Sequence, residues 1–467
     1  MLSRVVRQIL QATVYDVAIE TPLEAAPRIS QKLNNTIRFK REDLQPVFSF
    51  KLRGAYNRIS QLPKEQLERG VICASAGNHA QGVALSGQRL GIPAIIVMPS
   101  TTPDIKVQAV KRLGGQVVLH GDSFDIANKY AQQRAEAEGL VFIPPYDDEL
   151  VIAGQGTIAN EILRQWRDVE YVFVAVGGGG LIAGVAAYLF DVAPNVIVIC
   201  VEYEESACLK AALEANERVV LPHVGLFADG TAVAQIGALP FDIVRLRKSD
   251  NSGPIVEPDI VTVNTDEICA AIKDTFDENR SIVEPSGAMA LAGIKKYVAE
   301  HKISGKNMVS IVCGANMNFD RLRYIAERTE LGEQREAIYA VTLSEEKGAF
   351  LGFCRALQGR NITEFNYRAN NTEEAQVFVG ISLKGGDTER HEILEQLKQQ
   401  NYVVDDLSDD EVAKLHIRYL IGGHANLDDE RLFRVEFPER PGALLTFLTR
   451  LGPTHNITLF HYRNHGA

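Results

Sequence analysis

The chain has 467 residues but only six Cys, five Met and one Trp. The cysteines stand at Cys73, Cys200, Cys208, Cys269, Cys313 and Cys354, and no two form a CxxC pair. Six thiols over this length make no disulfide framework, and the missing CxxC spacing argues against a zinc ribbon. Positive charge is in deficit: Lys+Arg is 49 and Asp+Glu is 60, a net charge of −11. That balance suits neither nucleic acid nor an anionic membrane surface. The N-terminus, MLSRVVRQILQATVYDVAIE, lacks the apolar core and small-residue cleavage site of a signal peptide. Its Val5, Val6, Ile9 and Leu10 fall instead at helical spacing. Unpaired thiols in an acidic chain point to the cytoplasm. One uncharged run, Tyr171 to Phe190, is long enough to span a bilayer. Gly177 to Gly180 interrupt it, so it reads as strand YVFVAV, glycine loop and helix LIAGVAAYLF.

At 46% hydrophobic and 23% charged residues the composition is globular, and the length prior is about three domains. Up to about residue 320, apolar runs alternate with helical stretches: GVICAS, PAIIVMP, GQVVLH, LVFIP, YVFVAV, NVIVICVE, DIVTV and NMVSIVCG. The pattern predicts an α/β fold with parallel sheets covered on both faces, as one long doubly wound domain or two smaller ones. Ligands in such folds sit beyond the carboxyl ends of strands.

After about residue 325 the texture changes. ERTELGEQREA reads as a helical linker, over about 326–337. An internal repeat follows. Residues 348–368 read GAFLGFCRALQGRNITEFNYR and residues 442–463 read GALLTFLTRLGPTHNITLFHYR. Asn361, Ile362, Thr363, Phe365, Tyr367 and Arg368 match Asn456, Ile457, Thr458, Phe460, Tyr462 and Arg463, at an offset of 456 − 361 = 95. The first copy, about 338–415, completes a βαββαβ unit of the ferredoxin-like α+β type. The second, about 430–467, reads strand 432–437, a helix from Gly442 and strand 457–463, and then the sequence ends. Leu444, Phe447 and Leu448 share one helical face, which is expected to dock on the first copy. Unpaired strand edges in the second copy predict weakened allosteric control and mixed oligomers.

Three segments can carry chemistry. In Ser49-Phe50-Lys51-Leu52-Arg53-Gly54-Ala55, a lysine opens a small-residue helix; such a lysine is more often a solvated charge than a catalyst. Ala74-Ser75-Ala76-Gly77-Asn78-His79-Ala80 follows the strand GVIC, where free backbone N–H groups at a helix start would receive an anion. An ordinary strand-to-helix turn explains it equally. Gly177 to Gly180, followed by Leu181, let backbone approach an anion closely. The same loop fits a loose dinucleotide fingerprint, Gly178-x-Gly180-x-x-Ala183, with Glu202 where a ribose-binding acid belongs. A nicotinamide-dependent oxidoreductase is therefore an alternative at this point.

Together SFKLRGA, SAGNHAQGVA and GGGGL resemble the fold-type-II pyridoxal-phosphate enzymes, whose catalytic domain has two parallel-sheet lobes. Within these the chain is similar to the threonine dehydratase (threonine ammonia-lyase) family. TPL at Thr21–Leu23, KRED at Lys40–Asp43, VEPSGA at Val283–Ala288 and CGAN at Cys313–Asn316 extend the likeness. The repeat resembles the paired ACT-like regulatory modules of the biosynthetic form. The resemblance implies a catalytic domain over 1–325, with its smaller lobe at about 45–145. It implies L-threonine as substrate, L-serine as a slower one, isoleucine as inhibitor, valine as its antagonist, and a homotetramer. The effector would bind near Gly348 and Asn361 to Arg368.

Carried over residue by residue, Lys51 anchors pyridoxal 5'-phosphate and acts as base. The resemblance gives Phe50, Asn78, Gly177 to Gly180, Leu181 and Cys313 to the cofactor. Cys313 stands at the ring-nitrogen position, where Ser or Thr is usual. Ser75, Ala76, Gly77, Asn78 and His79 are given to the substrate. In related serine racemases a Ser supplies a second acid/base where Ala76 stands, so the resemblance implies a lyase over a racemase. Cys208 replaces a carboxylate of the racemase metal site, and no metal is expected.

Overall fold

The computed structural model describes residues 2–246, 256, 260–319, 321–332, 336–344, 346, 348–368, 374–408, 443–451, 457 and 459–463. The strand expected at 432–437 and the start of the second repeat at Gly442 lie outside these residues. The chain divides into two compact units, Met1–Ala326 and Glu327–Ala467.

The first unit holds two sheets. β3 (Val71–Ala74), β4 (Ala94–Met98), β5 (Gln116–Leu119) and β6 (Val141–Phe142) form an all-parallel sheet in the order β5-β4-β3-β6. The larger sheet contains β1 (Leu23–Ala25), β2 (Thr36–Arg41), β7 (Tyr171–Ala175), β8 (Ile197–Tyr203), β9 (Val261–Val263) and β10 (Asn307–Val312). Its order is β1-β2-β10-β7-β8-β9, parallel except for the β1 edge. β3 and β4 are buried at every residue, as strands covered on both faces must be. The uncharged run is β7, a glycine turn and the helix Gly180–Val192. No described helix is long and apolar enough to cross a membrane.

Two helices are pressed together where they lack side chains. A Cβ on Gly154, in the helix Glu149–Gln165, would lie 2.7 Å from the Arg53 carbonyl and from Gly54 Cα in the helix Lys51–Ile59. That approach fixes the helix that begins at Lys51.

In the second unit, β11 (Glu336–Ser344), β12 (Ile362–Arg368), β13 (Glu374–Ser382), β14 (Val403–Asp406) and β15 (Leu459–Arg463) form an antiparallel sheet, β14-β11-β13-β12-β15. The first four strands, with the helices Ala349–Ala356 and Gly386–Gln399, have the ferredoxin-like order. β15 belongs to the second repeat and extends the sheet at β12. Asn366 faces His461 in that pairing, and 461 − 366 = 95 is the repeat offset. Equivalent strands thus meet at an equivalent residue, on a local two-fold axis. Leu444 and Leu448 of the helix Ala443–Leu451 are buried with Phe350 and Phe353, and Phe447 packs beside them. The second copy docks on the first, as its apolar face requires.

Candidate active site

Ser49, Phe50 and Lys51 are held against the end of β10. Phe50 N donates to Cys313 O at 3.2 Å, and Ala315 N donates to Phe48 O at 2.8 Å. Phe48 adopts φ 55° to make this turn, a conformation that costs a bulky residue on the order of 1 kcal/mol. The pairing sets Lys51 against Cys313, although they are far apart in sequence.

Both line one cavity. Phe50, Asn78, Gly177 to Gly180 and Leu181 line it too, and so do Tyr146, Thr231, Glu284 and Ser286. Ser75, Ala76, Gly77 and His79 do not. Ser75 to Gly77 form the turn before the helix Asn78–Leu90, with Gly77 N donating to Ser75 Oγ at 3.2 Å. His79 turns into the core, where Nε2 meets Ile143 O at 2.9 Å. Burial and then the Lys51 charge lower its pKa to about 3, so the ring is neutral and donates to that carbonyl. Its imidazole thus faces the core.

Lys51 Nζ donates to a carbonyl, Pro145 O, at 3.1 Å. Burial lowers its pKa to about 8, partly countered by Cys313 and Glu284. A neutral amine is thus far more available at physiological pH than on an exposed lysine. Cys313 donates from Sγ to Ser286 O at 3.2 Å, and burial pushes its pKa well up. It is a neutral thiol. Asn78 Nδ2 donates to Glu284 Oε1 at 2.7 Å.

The glycine loop is closed from behind. Gly179 has φ 89°. A Cβ on Gly178 would meet the Tyr146 ring at 2.1 Å. Only glycine permits both, and the loop leads into the helix Gly180–Val192, whose N-terminal end favours an anion.

Sequence reasoning missed the segment Pro145–Asp148. Its members accept from Lys51, back the glycine loop, and cap two helices. Asp147 accepts from Ala238 N and Leu239 N, both at 2.9 Å. Asp148 accepts from Leu150 N and Val151 N at 2.8 and 3.0 Å. The signal that could have found it is an acidic residue before a helix.

Beneath Lys51, TPL and KRED find their purpose. Arg53 is fully buried between Glu42 (Nε–Oε2 2.8 Å) and Glu161 (Nη1–Oε1 2.6 Å). Lys40 Nζ meets Glu161 Oε2 at 2.6 Å and Thr21 Oγ1 donates to Glu42 at 2.6 Å. Two cations and two anions balance inside the core.

Glu202 is also spoken for. Its carboxylate accepts from Leu209 N and Lys210 N, each at 2.8 Å, capping the helix Cys208–Ala215. It offers nothing to a ribose, and the dinucleotide reading loses its acid.

A buried amine of lowered pKa, an N–H-rich loop at a helix start, an amide and a neutral thiol around one cavity fit an aldehyde-bearing aromatic phosphate. These features define a pyridoxal-phosphate-binding α/β enzyme. Residues 14–314 match the pyridoxal-phosphate dependent enzyme family, and residues 327–417 and 421–467 match the C-terminal regulatory domain of threonine dehydratase. Biosynthetic L-threonine dehydratase of Escherichia coli (strain K12) is 54% identical over 462 residues, 99% of this chain and 88% of that protein. The mitochondrial threonine dehydratase of Saccharomyces cerevisiae is 49% identical, covering 99% and 81%. The solved structure of the processed form of threonine deaminase isoform 2 from Solanum lycopersicum is 50% identical, with TM-score 0.68 over 71% of this chain and 88% of that one. Maize serine racemase, 31% identical, gives TM-score 0.62 over 68% and 95%. The chain belongs to the biosynthetic threonine dehydratase family of pyridoxal-phosphate enzymes.

Proposed function

We infer that this chain converts L-threonine to 2-oxobutanoate and ammonia, as the committed step into isoleucine biosynthesis. The observation that carries the reading is the buried Lys51 amine facing a glycine loop across one cavity. Bound there, pyridoxal phosphate supplies the electron sink that makes the Cα proton acidic. Lys51 would anchor it and, once freed by the substrate amine, would take that proton. The Cβ–O bond would then break, and the hydroxyl would leave as water with the proton that Lys51 took. The released enamine takes up water, yielding the oxo acid and ammonia.

The cavity position of Asn78, Gly177 to Leu181 and Cys313 supports the other cofactor roles. N–H groups of Gly177 to Leu181 receive the phosphate. Asn78 addresses the ring hydroxyl and Cys313 the ring nitrogen. The turn Ser75–Gly77, with the backbone at Asn78 and His79, receives the substrate carboxylate. Ala76 has no proton to exchange, which favours elimination over racemisation.

L-Serine is the slower substrate, since one methyl in an apolar pocket changes discrimination by about 10–200-fold. Isoleucine inhibits and valine opposes it. Their site is the cavity lined by Gly348, Phe350 and Tyr367 of the first repeat and Leu448, Leu451 and Ile457 of the second. The chain works as a homotetramer in the cytoplasm.

The test is a product assay on purified, yellow protein. 2-Oxobutanoate from threonine should exceed pyruvate from serine at equal concentration, and borohydride should bleach the colour and stop both. The reverse product ratio overturns the substrate assignment. Isoleucine should lower the rate, and Tyr367→Ala should blunt that response without lowering uninhibited turnover.

A further inference from the structure

Asn78, Asn316 and Glu284 form a hydrogen-bond chain whose direction is set by its two ends. Asn316 Nδ2 lies 2.7 Å from Val47 O and 2.8 Å from Asn78 Oδ1. Asn78 Nδ2 lies 2.7 Å from Glu284 Oε1. A backbone carbonyl and an ionised carboxylate only accept. Asn316 therefore donates from both its N–H bonds, and Asn78 turns its oxygen to Asn316 and its amide nitrogen to Glu284. The Asn78 oxygen is turned to Asn316, which does not line the cavity, and its nitrogen to Glu284, which does. The end on the cavity side therefore has one N–H beyond its bond to Glu284.

We infer that Asn316 is a positioning residue: by holding the Asn78 carboxamide in one orientation, it presents a donor to the cavity and selects the ionised ring oxygen of bound pyridoxal phosphate. The inference rests on the placement of that cofactor proposed above. Lys51 and Cys313 share the cavity with Asn78 but hold neither end of its amide.

Glu284 shows why a second clamp is required. Burial, and then the Asp229 charge, raise its pKa to about 7, while Asn78, Lys106 and the Asn316 backbone N–H lower it. Lys51 and Cys313 also feel its charge. A protonated Glu284 can donate, and would then accept a reversed Asn78 equally well. Asn316 cannot, because Val47 O fixes its own orientation. It holds Asn78 in one pose on both sides of that titration.

The experiment follows the visible absorption of the bound cofactor against pH in the holoenzyme, together with cofactor dissociation. Asn316→Asp is isosteric but its carboxylate accepts, so Asn78 must turn its nitrogen away from the cavity. Loss of one donor to the ring oxygen should raise the midpoint of the visible band by about one pH unit and weaken cofactor binding about tenfold. Asn316→Ser, which keeps a donor, should move the midpoint less than Asn316→Ala. In an Asn78→Ala background, Asn316→Asp should add no further shift. An unmoved midpoint in Asn316→Asp with reduced activity overturns the inference and leaves Asn316 a structural residue. A shift that persists in the Asn78→Ala background overturns it too. Should Asn316→Asp fail to fold, equal midpoints for Asn316→Ser, Asn316→Ala and the unaltered chain overturn it in the same way. Absence of a borohydride-sensitive band in the unaltered holoenzyme overturns the cofactor placement itself.

Discussion

Beneath Lys51 the interior is ionic, and beneath Gly348 it is aromatic. Lys40, Glu42, Arg53 and Glu161 are fully buried and balance one another within the first unit. In the second, Phe350 stands 4.5 Å from Phe365 and 5.9 Å from Tyr367, and Phe353 meets Tyr402 edge-on at 5.5 Å. Buried charges have few arrangements that satisfy every oxygen and N–H, so the helix carrying Lys51 has one position. Apolar rings accept small displacements at low cost. One interior suits the base proposed at Lys51, which must not move. The other suits the response to a small apolar effector proposed for the cavity at Gly348.

The sharpest break of this contrast is Lys51→Ala. Its side chain serves the cavity and not the core, so the fold should survive while turnover falls at least 10²–10⁴-fold, roughly what a general base contributes. Retention of more than a few per cent of threonine deamination, with normal circular dichroism, refutes the assignment of Lys51 as base.

Arg53→Met and Phe353→Ala compare the two interiors directly. Arg53→Met strands Glu42 and Glu161 without their shared cation, a loss of about 3–5 kcal/mol. Phe353→Ala opens a cavity in the second core at a similar cost of about 3–5 kcal/mol. Thermal unfolding should register both. Only Arg53→Met should lower uninhibited turnover; Phe353→Ala should change the isoleucine response instead. Equal losses of turnover in the two variants would show that the interiors are not specialised.

The lowered pKa of Lys51 has a signed consequence in the cofactor-free protein. Its value of about 8, against 10.5 for the free side chain, means the reactive neutral amine appears as pH rises through 8. Labelling of Lys51 by an amine-directed reagent, read by mass spectrometry, should show that midpoint. A Lys51 midpoint above about 10 would mean that the ammonium finds an unforeseen counter-charge.

What the sequence displays and what it conceals divide along the same line. The eight apolar runs are strands; β3, β4, β7, β8 and β10 are buried along nearly their whole length, and such parallel strands announce themselves by continuous hydrophobicity. The repeat showed both the ferredoxin-like order and the docking face of Leu444 and Leu448. β2 was concealed: Arg38, Lys40 and Arg41 make Thr36–Arg41 look exposed, yet Lys40 is fully buried. Its neutralising partner Glu161 is far along the chain, where no local pattern reaches. Motif likeness named Lys51, Asn78 and Cys313, but not that Asn316 and Glu284 hold Asn78 between them. The direction of the His79 ring was concealed as well, because a histidine beside an anion site reads the same whether its ring faces the ligand or the core.

Cys313 is where the effect should be smallest and most informative. Its thiol donates to Ser286 O and stays neutral. As the ring-nitrogen partner proposed above, a neutral thiol would not oblige that nitrogen to remain protonated, so the electron sink would stay moderate and the β-hydroxyl would leave before Cα could be reprotonated elsewhere. Cys313→Ser preserves a neutral donor, and turnover should stay within about tenfold of the unaltered enzyme. Cys313→Asp puts a carboxylate there, strengthens the sink and lengthens the time before elimination. Elimination should fall, and the fraction of substrate diverted to transamination should rise, measured as pyridoxamine phosphate formed per 2-oxobutanoate. If that ratio is the same in Cys313→Asp and Cys313→Ser, the side chain at 313 does not address the ring. Lyase selectivity would then rest on Ala76 alone.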